Sequence, residues 1–331
     1  MTRAAKTVAT FYRFVAIDAP AALRERLLAR GEALGLEGTI LLAGEGINAT
    51  IAGPAAALEA FLDDLQQDPR FTNLVIKRSE LPLEDAAFLR FKVKLKDEIV
   101  TLGQGPLPVA ETPARHVGAA EWNRLLDDPS VRVIDVRNRY EIETGSFSAA
   151  EDPGTDSFRE FPVYVATALD PAVDRQLAIF CTGGIRCEKA AAYLAQAGFD
   201  NVVQLDGGVL NYLAEVEPGA NRWRGECFVF DQRVTVNAEL EPGGHVQCHA
   251  CRRPVSAAAQ RSPDYVYGVS CPACVAETAP EDRARFAERI RQVRLADDRG
   301  DAHLGPRAQG GGQPAADADL RQQSDGTTTV S

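Results

Sequence analysis

No run of apolar residues in this 331-residue chain reaches the roughly 20 needed to cross a bilayer. The opening stretch, MTRAAKTVATFYRFVAIDAP, has charged and aromatic interruptions where a secretory signal would carry its apolar core, so a cytoplasmic protein with no membrane partner is expected. Basic charge is also short. Thirty-six Lys and Arg stand against 47 Asp and Glu, a formal net charge of -11, which excludes a protein that coats nucleic acid indiscriminately through many phosphate contacts. Any such contact must be local. The four histidines, His116, His245, His249 and His303, are too scattered to suggest a facial-triad iron site. No flavin, haem or nicotinamide signature stands out either. GEGINA imitates the start of a dinucleotide fingerprint, but that motif needs a helix after its glycines and INATIAG reads as a strand, so Gly44 to Gly46 is a hairpin turn.

The length allows two or three domains. Residues 1–104 alternate strand and helix patterns in the order β-α-β-β-α-β, which predicts a ferredoxin-like (acylphosphatase-like) α+β domain, followed by an extended strand. In that strand, FLRFKVKLKDEIVTLG, Lys92, Lys94 and Lys96 alternate with Phe91, Val93 and Leu95 and share one face. Two readings stay open: a solvated edge strand guarded by lysines, or a contact for phosphates. A Pro- and Gly-rich linker is expected at 105–116. Residues 117–218 alternate short β-rich runs with helices of about ten residues, as in a parallel α/β sheet covered on both faces. Residues 219–295 form a Cys-rich module and a helix, in which Phe286, Ile290 and Val293 make an apolar stripe expected to pack back on the body. The tail, 296–331, has almost no large apolar residues and is expected to be disordered.

In IFCTGGIRCEKAAAYLAQAGF, Cys181 stands between a strand-like and a helix-like run. A thiol becomes a nucleophile when its pKa is lowered, and helix N-termini and cationic neighbours do this. With a helix starting near Cys187, the loop Thr182, Gly183, Gly184, Ile185, Arg186 can turn its amides inward around the sulfur while Arg186 adds a fixed positive charge. Such a cradle suits a thiolate or a cysteine persulfide. Only four residues separate Cys181 from Arg186, one fewer than in cysteine phosphatases, so the space fits one sulfur better than a phosphate. Cys187 reads either as a resolving thiol or as a small buried hydrophobe, and Cys227, in CFVF, as structural.

The remaining cysteines form two tight pairs, Cys248/Cys251 and Cys271/Cys274, nineteen residues apart, which is the spacing of a structural tetrathiolate zinc site. His249 lies inside the first pair as a bystander. Arg252 and Arg253 follow it, as candidate phosphate contacts or merely solvated arginines.

DVRNRYE, GSF, FREFP, CTGGIRCEKAAAYL and VVQLDGGVLNYL together resemble a rhodanese domain. That resemblance implies that Cys181 is the active-site cysteine, that Arg186 is the loop arginine, and that Asp135 and Arg137 frame the site. EGTILLAGEGINATIAG, FKVKLKDEIVTLG, CTGGIRCEK and WRGECFVFDQRV, spread over about residues 8 to 275, are similar to the bacterial rhodanese-related tRNA uridine(34) hydroxylases. Their likeness implies a tRNA partner, molecular oxygen as co-substrate, and 5-hydroxyuridine as product, with Cys181 catalytic. Two other readings remain open: a sulfurtransferase carrying a Cys181 persulfide, and a redox or metal-sensing adaptor switching through Cys181 and Cys187.

Overall fold

The structure is a computed structural model and describes residues 5–82, 88–112 and 114–299. The N-terminal domain contains β1 (Ala5–Phe14), α1 (Pro20–Ala33), β2 (Glu37–Ala43), β3 (Gly46–Pro54), α2 (Ala55–Gln66), β4 (Lys77–Pro82) and β5 (Phe91–Leu95). Its sheet runs β4-β1-β3-β2-β5, antiparallel except that β5 adds parallel to β2. The β2–β3 hairpin pairs Ala43 with Gly46, which places the expected turn at Gly44 and Glu45.

Side-chain alternation decides what each face of this sheet meets. Ala9, Phe11, Ile47, Ala49 and Ile51 pack under α1 and α2 with Leu23, Leu27, Leu58, Phe61 and Leu62. Thr10 pairs with Lys77, and Tyr12 with Asn48, so these four side chains lie on the other face. The second domain covers that face. On the same face Asn48 donates to Ile99 O, in the segment after β5, at 3.1 Å.

The second domain contains β6 (Arg115–Val117), α3 (Ala119–Asp127), β7 (Arg132–Asp135), α4 (Arg139–Ile142), β8 (Gly145–Phe147), α5 (Phe161–Ala168), β9 (Leu177–Phe180), α6 (Ile185–Gln196), β10 (Val202–Leu205), α7 (Gly208–Glu215) and β11 (Trp223–Gly225). Its parallel sheet, β6-β10-β9-β7, has core clusters on both faces, one around Trp122, Phe147 and Tyr212 and one around Phe161, Leu177 and Leu194.

The expected boundaries shift where distant strands pair. Arg115 and His116, placed in the linker by the sequence, form β6 and bond to β10. β11 pairs with β8, and Trp223, Cys227, Val229 and Val236 join the second domain's core, so the Cys-rich module begins well after residue 219. The remaining elements are β12 (Cys227–Phe228), β13 (Thr235–Val236), β14 (Val246–Gln247), β15 (Pro254–Val255) and α8 (Pro280–Asp298). Of the expected stripe on α8, Ile290 meets Gly268 of the Cys module, and Arg289 beside it donates to the carbonyls of His249 and Gly268 at 3.1 Å, while Phe286 lies against Arg285 and Arg289 of its own helix. The tail from residue 300 lies outside the described residues. Among the described residues no helix is long and apolar enough to cross a membrane.

A buried lysine ties the two domains together. Lys189 of α6 is fully buried and donates to Glu45 of the β2–β3 turn at 2.7 Å, to Glu98 at 2.6 Å and to Val100 O at 2.9 Å.

Candidate active site

Cys181 follows β9 directly, at the carboxyl end of a central strand of a parallel sheet, where such folds hold their ligands. The helix after it starts at Ile185, two residues earlier than the sequence suggested, so Arg186 lies in the first turn of α6 and the loop shrinks to Thr182–Gly184. Gly184 supplies the reason. Its φ of 104° is disfavoured for residues with a side chain, and a Cβ there would stand 2.8 Å from the Tyr12 hydroxyl.

The sulfur is only 1% exposed, yet polar groups surround it. Gly184 N donates to Cys181 Sγ at 3.1 Å. Burial, the largest influence, opposes the thiolate, but a hydrogen bond from the Cys187 thiol, the Arg186 guanidinium, and the amides of Gly184 and Cys187 outweigh it and hold the Cys181 pKa well below the ordinary thiol value. Burial and the adjacent Cys181 push Cys187 well above that value. The pair is one thiolate and one thiol that donates to it.

Arg186 is fixed by Glu141 of α4 through two bonds, at 2.6 and 2.7 Å, with Glu141 fully buried. Burial would raise the Glu141 pKa; Arg186 beside it keeps it below the usual carboxylate range. Asp135 and Arg137 stand one step further back. Arg137 donates to both Asp135 oxygens, at 2.8 and 2.6 Å, and its guanidinium lies 5.0 Å from the Trp223 ring and 5.9 Å from the Phe180 ring. Its contact toward the loop is a 3.4 Å bond to Glu141 O. Thr182 Oγ1 also reaches Glu141, at 3.4 Å.

Two residues of the N-terminal domain complete the site, and sequence reasoning missed both. Tyr12 touches Gly184 and donates to Glu188 Oε1 at 3.3 Å; burial and then the Glu188 and Cys181 charges raise its phenol far above the ordinary value. Lys77 donates to Gly183 O at 3.0 Å and to Gly207 O. Strand alternation places Tyr12 and Lys77 on the face away from the helices, a sign that something covers that face, but not what. Cys227 is fully buried, and burial pushes its thiol up to about 12.

Of the basic candidates, Lys92 and Lys94 lie on β5, but Leu95 is 45% exposed and Lys96 follows the strand's last residue, so the alternation ends at Lys94. Arg252 is exposed and donates to Gln247 Oε1 at 3.2 Å; Arg253 is tied to Glu277 at 3.0 Å and to Ala273 O at 3.0 Å. Lys92 has a lowered pKa through burial and then through the charges of Arg90, Lys94 and Arg252. The strand and the Cys module therefore bring cations together from two parts of the chain.

The four sulfurs of Cys248, Cys251, Cys271 and Cys274 lie within 4.8 Å of one another, with Cys248–Cys274 at 4.0 Å and Cys251–Cys271 and Cys271–Cys274 at 3.7 Å. A tetrahedron of thiolates about 2.3 Å from zinc has edges of about 3.8 Å, so the donor set fits a metal ion of that kind.

Residues 6–99 match the family model described as UPF0176 acylphosphatase like domain, and residues 118–215 match the rhodanese-like domain. Among solved structures, the chain is similar to the rhodanese-like domain of an Anabaena sp. protein, with 21% identity over 34% of this chain and 80% of that one and a TM-score of 0.29. A rhodanese-like domain protein from Staphylococcus aureus is 24% identical over 30% and 90%, with a TM-score of 0.26. An acylphosphatase from Coxiella burnetii is 16% identical over 28% and 100%, with a TM-score of 0.21. The two matched domains, in this order, form the domain architecture of the UPF0176 rhodanese-containing family, to which the chain belongs.

Proposed function

We propose that this protein is a tRNA-modifying enzyme that hydroxylates uridine 34 to 5-hydroxyuridine, with molecular oxygen as co-substrate and Cys181 as its catalytic residue. The observation that carries the reading is the thiolate of Cys181, held where the two domains of this family meet. A thiolate is the nucleophilic form of cysteine, and the groups around Cys181 favour it. Lys92, Lys94 and Arg252, with Arg90 beside them, are the proposed phosphate contacts; a local cationic cluster is what an otherwise acidic chain needs to hold RNA. Lys96 and Arg253 are weaker candidates, one beyond the strand and the other engaged by Glu277. The metal at the four cysteines would be zinc in a structural role, since four thiolates leave no open position.

Cells carrying Cys181→Ala test this: loss of 5-hydroxyuridine at tRNA position 34 is expected, and an unchanged level overturns the reading. The rhodanese-like match supports a second reading, a sulfurtransferase that carries sulfur on Cys181. Sulfur release from thiosulfate with no change in tRNA nucleosides, measured on the same purified protein, would select it.

A further inference from the structure

Three successive carbonyls of the Cys181 loop have their own donors. Val209 N and Leu210 N, in the first turn of α7, donate to Cys181 O at 3.0 Å and to Thr182 O at 3.1 Å. This close approach depends on Gly208, where a Cβ would collide with Cys181 O and stand 2.7 Å from Thr182 O. The third carbonyl, Gly183 O, is held from the other domain by Lys77 Nζ at 3.0 Å.

A trans peptide carries its C=O and N–H on opposite sides of one plane. The peptide joining Gly183 to Gly184 is therefore held at both ends, by Lys77 at its oxygen and by Cys181 Sγ at its nitrogen. Anchoring the oxygen fixes the direction of the N–H. An ammonium on the carbonyl also polarises the amide and makes it a stronger donor. Both effects favour negative charge on the sulfur, and the Lys77 charge itself acts in the same direction. Burial lowers the pKa of Lys77, and the charges of Cys181, Asp206 and Glu215 around it oppose that.

We propose that Lys77 is a positioning residue for Cys181: from the N-terminal domain it aims the Gly184 amide at the sulfur, so that the acylphosphatase-like domain sets the reactivity of the rhodanese-like domain. The proposal rests on the reading of Cys181 as a reactive thiolate. Because the sulfur is buried, the test is the thiolate absorbance in the ultraviolet as pH is varied, taken on the full chain as the difference from the same protein carrying Cys181→Ser. Lys77→Met is expected to move the ionisation midpoint up by about one pH unit, a tenfold loss of thiolate below both midpoints. Lys77→Arg, which keeps charge and donors, should return the midpoint toward that of the unaltered protein. A midpoint unmoved in Lys77→Met overturns the proposal alone, as does Arg behaving like Met. An ordinary thiol midpoint in the unaltered protein overturns the thiolate reading itself. Should Lys77→Met fail to fold, Lys77→Gln, which keeps a neutral donor, decides: the midpoint must rise by a smaller step, and no rise overturns the proposal.

Discussion

Cys181 and the four cysteines of the C-terminal module face the same requirement, a sulfur that must give up its proton, and meet it by opposite means. Around Cys181 a large scaffold supplies the compensation: an amide at 3.1 Å, a guanidinium fixed by Glu141, and a neighbouring thiol that stays protonated. The module has little scaffold. Its buried core is Val255 with Cys248, Cys271 and Cys274, while Val246, Ala250, Cys251, Ala259 and Tyr265 are only partly covered, so negative charge on the sulfurs there calls for a metal. Where a fold has core to spare, it can spend stability on an ionised sulfur; where it has little, four sulfurs within reach of one metal ion stand in place of a core.

The largest expected effect separates the two regions directly. With zinc at the four cysteines as proposed, a chelator should unfold residues 246–279, because structural zinc contributes about 10–16 kcal/mol to small modules. Hydrogen exchange read by peptide should show that loss while α6 and β9 keep their protection; equal loss in both would break the contrast. Glu141→Gln is the converse test. It leaves the Arg186 guanidinium buried without its partner, and about 3–5 kcal/mol of stability should go from the second domain in urea, with the module's exchange unchanged.

Much of the first region was legible in the sequence. The strand, the glycines and the arginine around Cys181 name their own chemistry, and the β-α-β-β-α-β order of the first domain follows from apolar periods. The start of α6 was not, because Gly184 enters the helix through a left-handed turn that no apolar period records. Nor were Tyr12, Lys77 and the partnership of β8 with β11, since each depends on a contact between residues far apart in the chain. The lysine stripe failed at its end for a simpler reason: β5 stops at Leu95.

Two smaller effects sharpen the comparison. Lys189→Met removes the ammonium from Glu45 and Glu98, and about 2 kcal/mol should be lost, as for hydrogen bonds to charged groups. Because this bridge joins the domains, proteolysis within 99–112 should quicken while the cysteine module stays resistant. The smallest effect is linkage to pH. The folded pKa of Cys181 lies below that of the unfolded thiol, about 8.5, so its contribution to stability is complete above that pH and is lost as pH falls through the folded value. Urea midpoints of the unaltered protein and of Cys181→Ala should therefore converge toward acid. Cys227, pushed up to about 12, should give no such convergence in Cys227→Ala.

That Tyr12 and Lys77 lean on the loop from the neighbouring domain bears on how such a chain can be inherited. Recombination that traded the first hundred residues for an unrelated module would deliver a sulfur-bearing unit with its own sheet whole, yet missing the two side chains that finish its chemistry. The partners are bound to travel as a pair, and drift on the helix-free face of the first sheet is answerable to a glycine loop in the second domain.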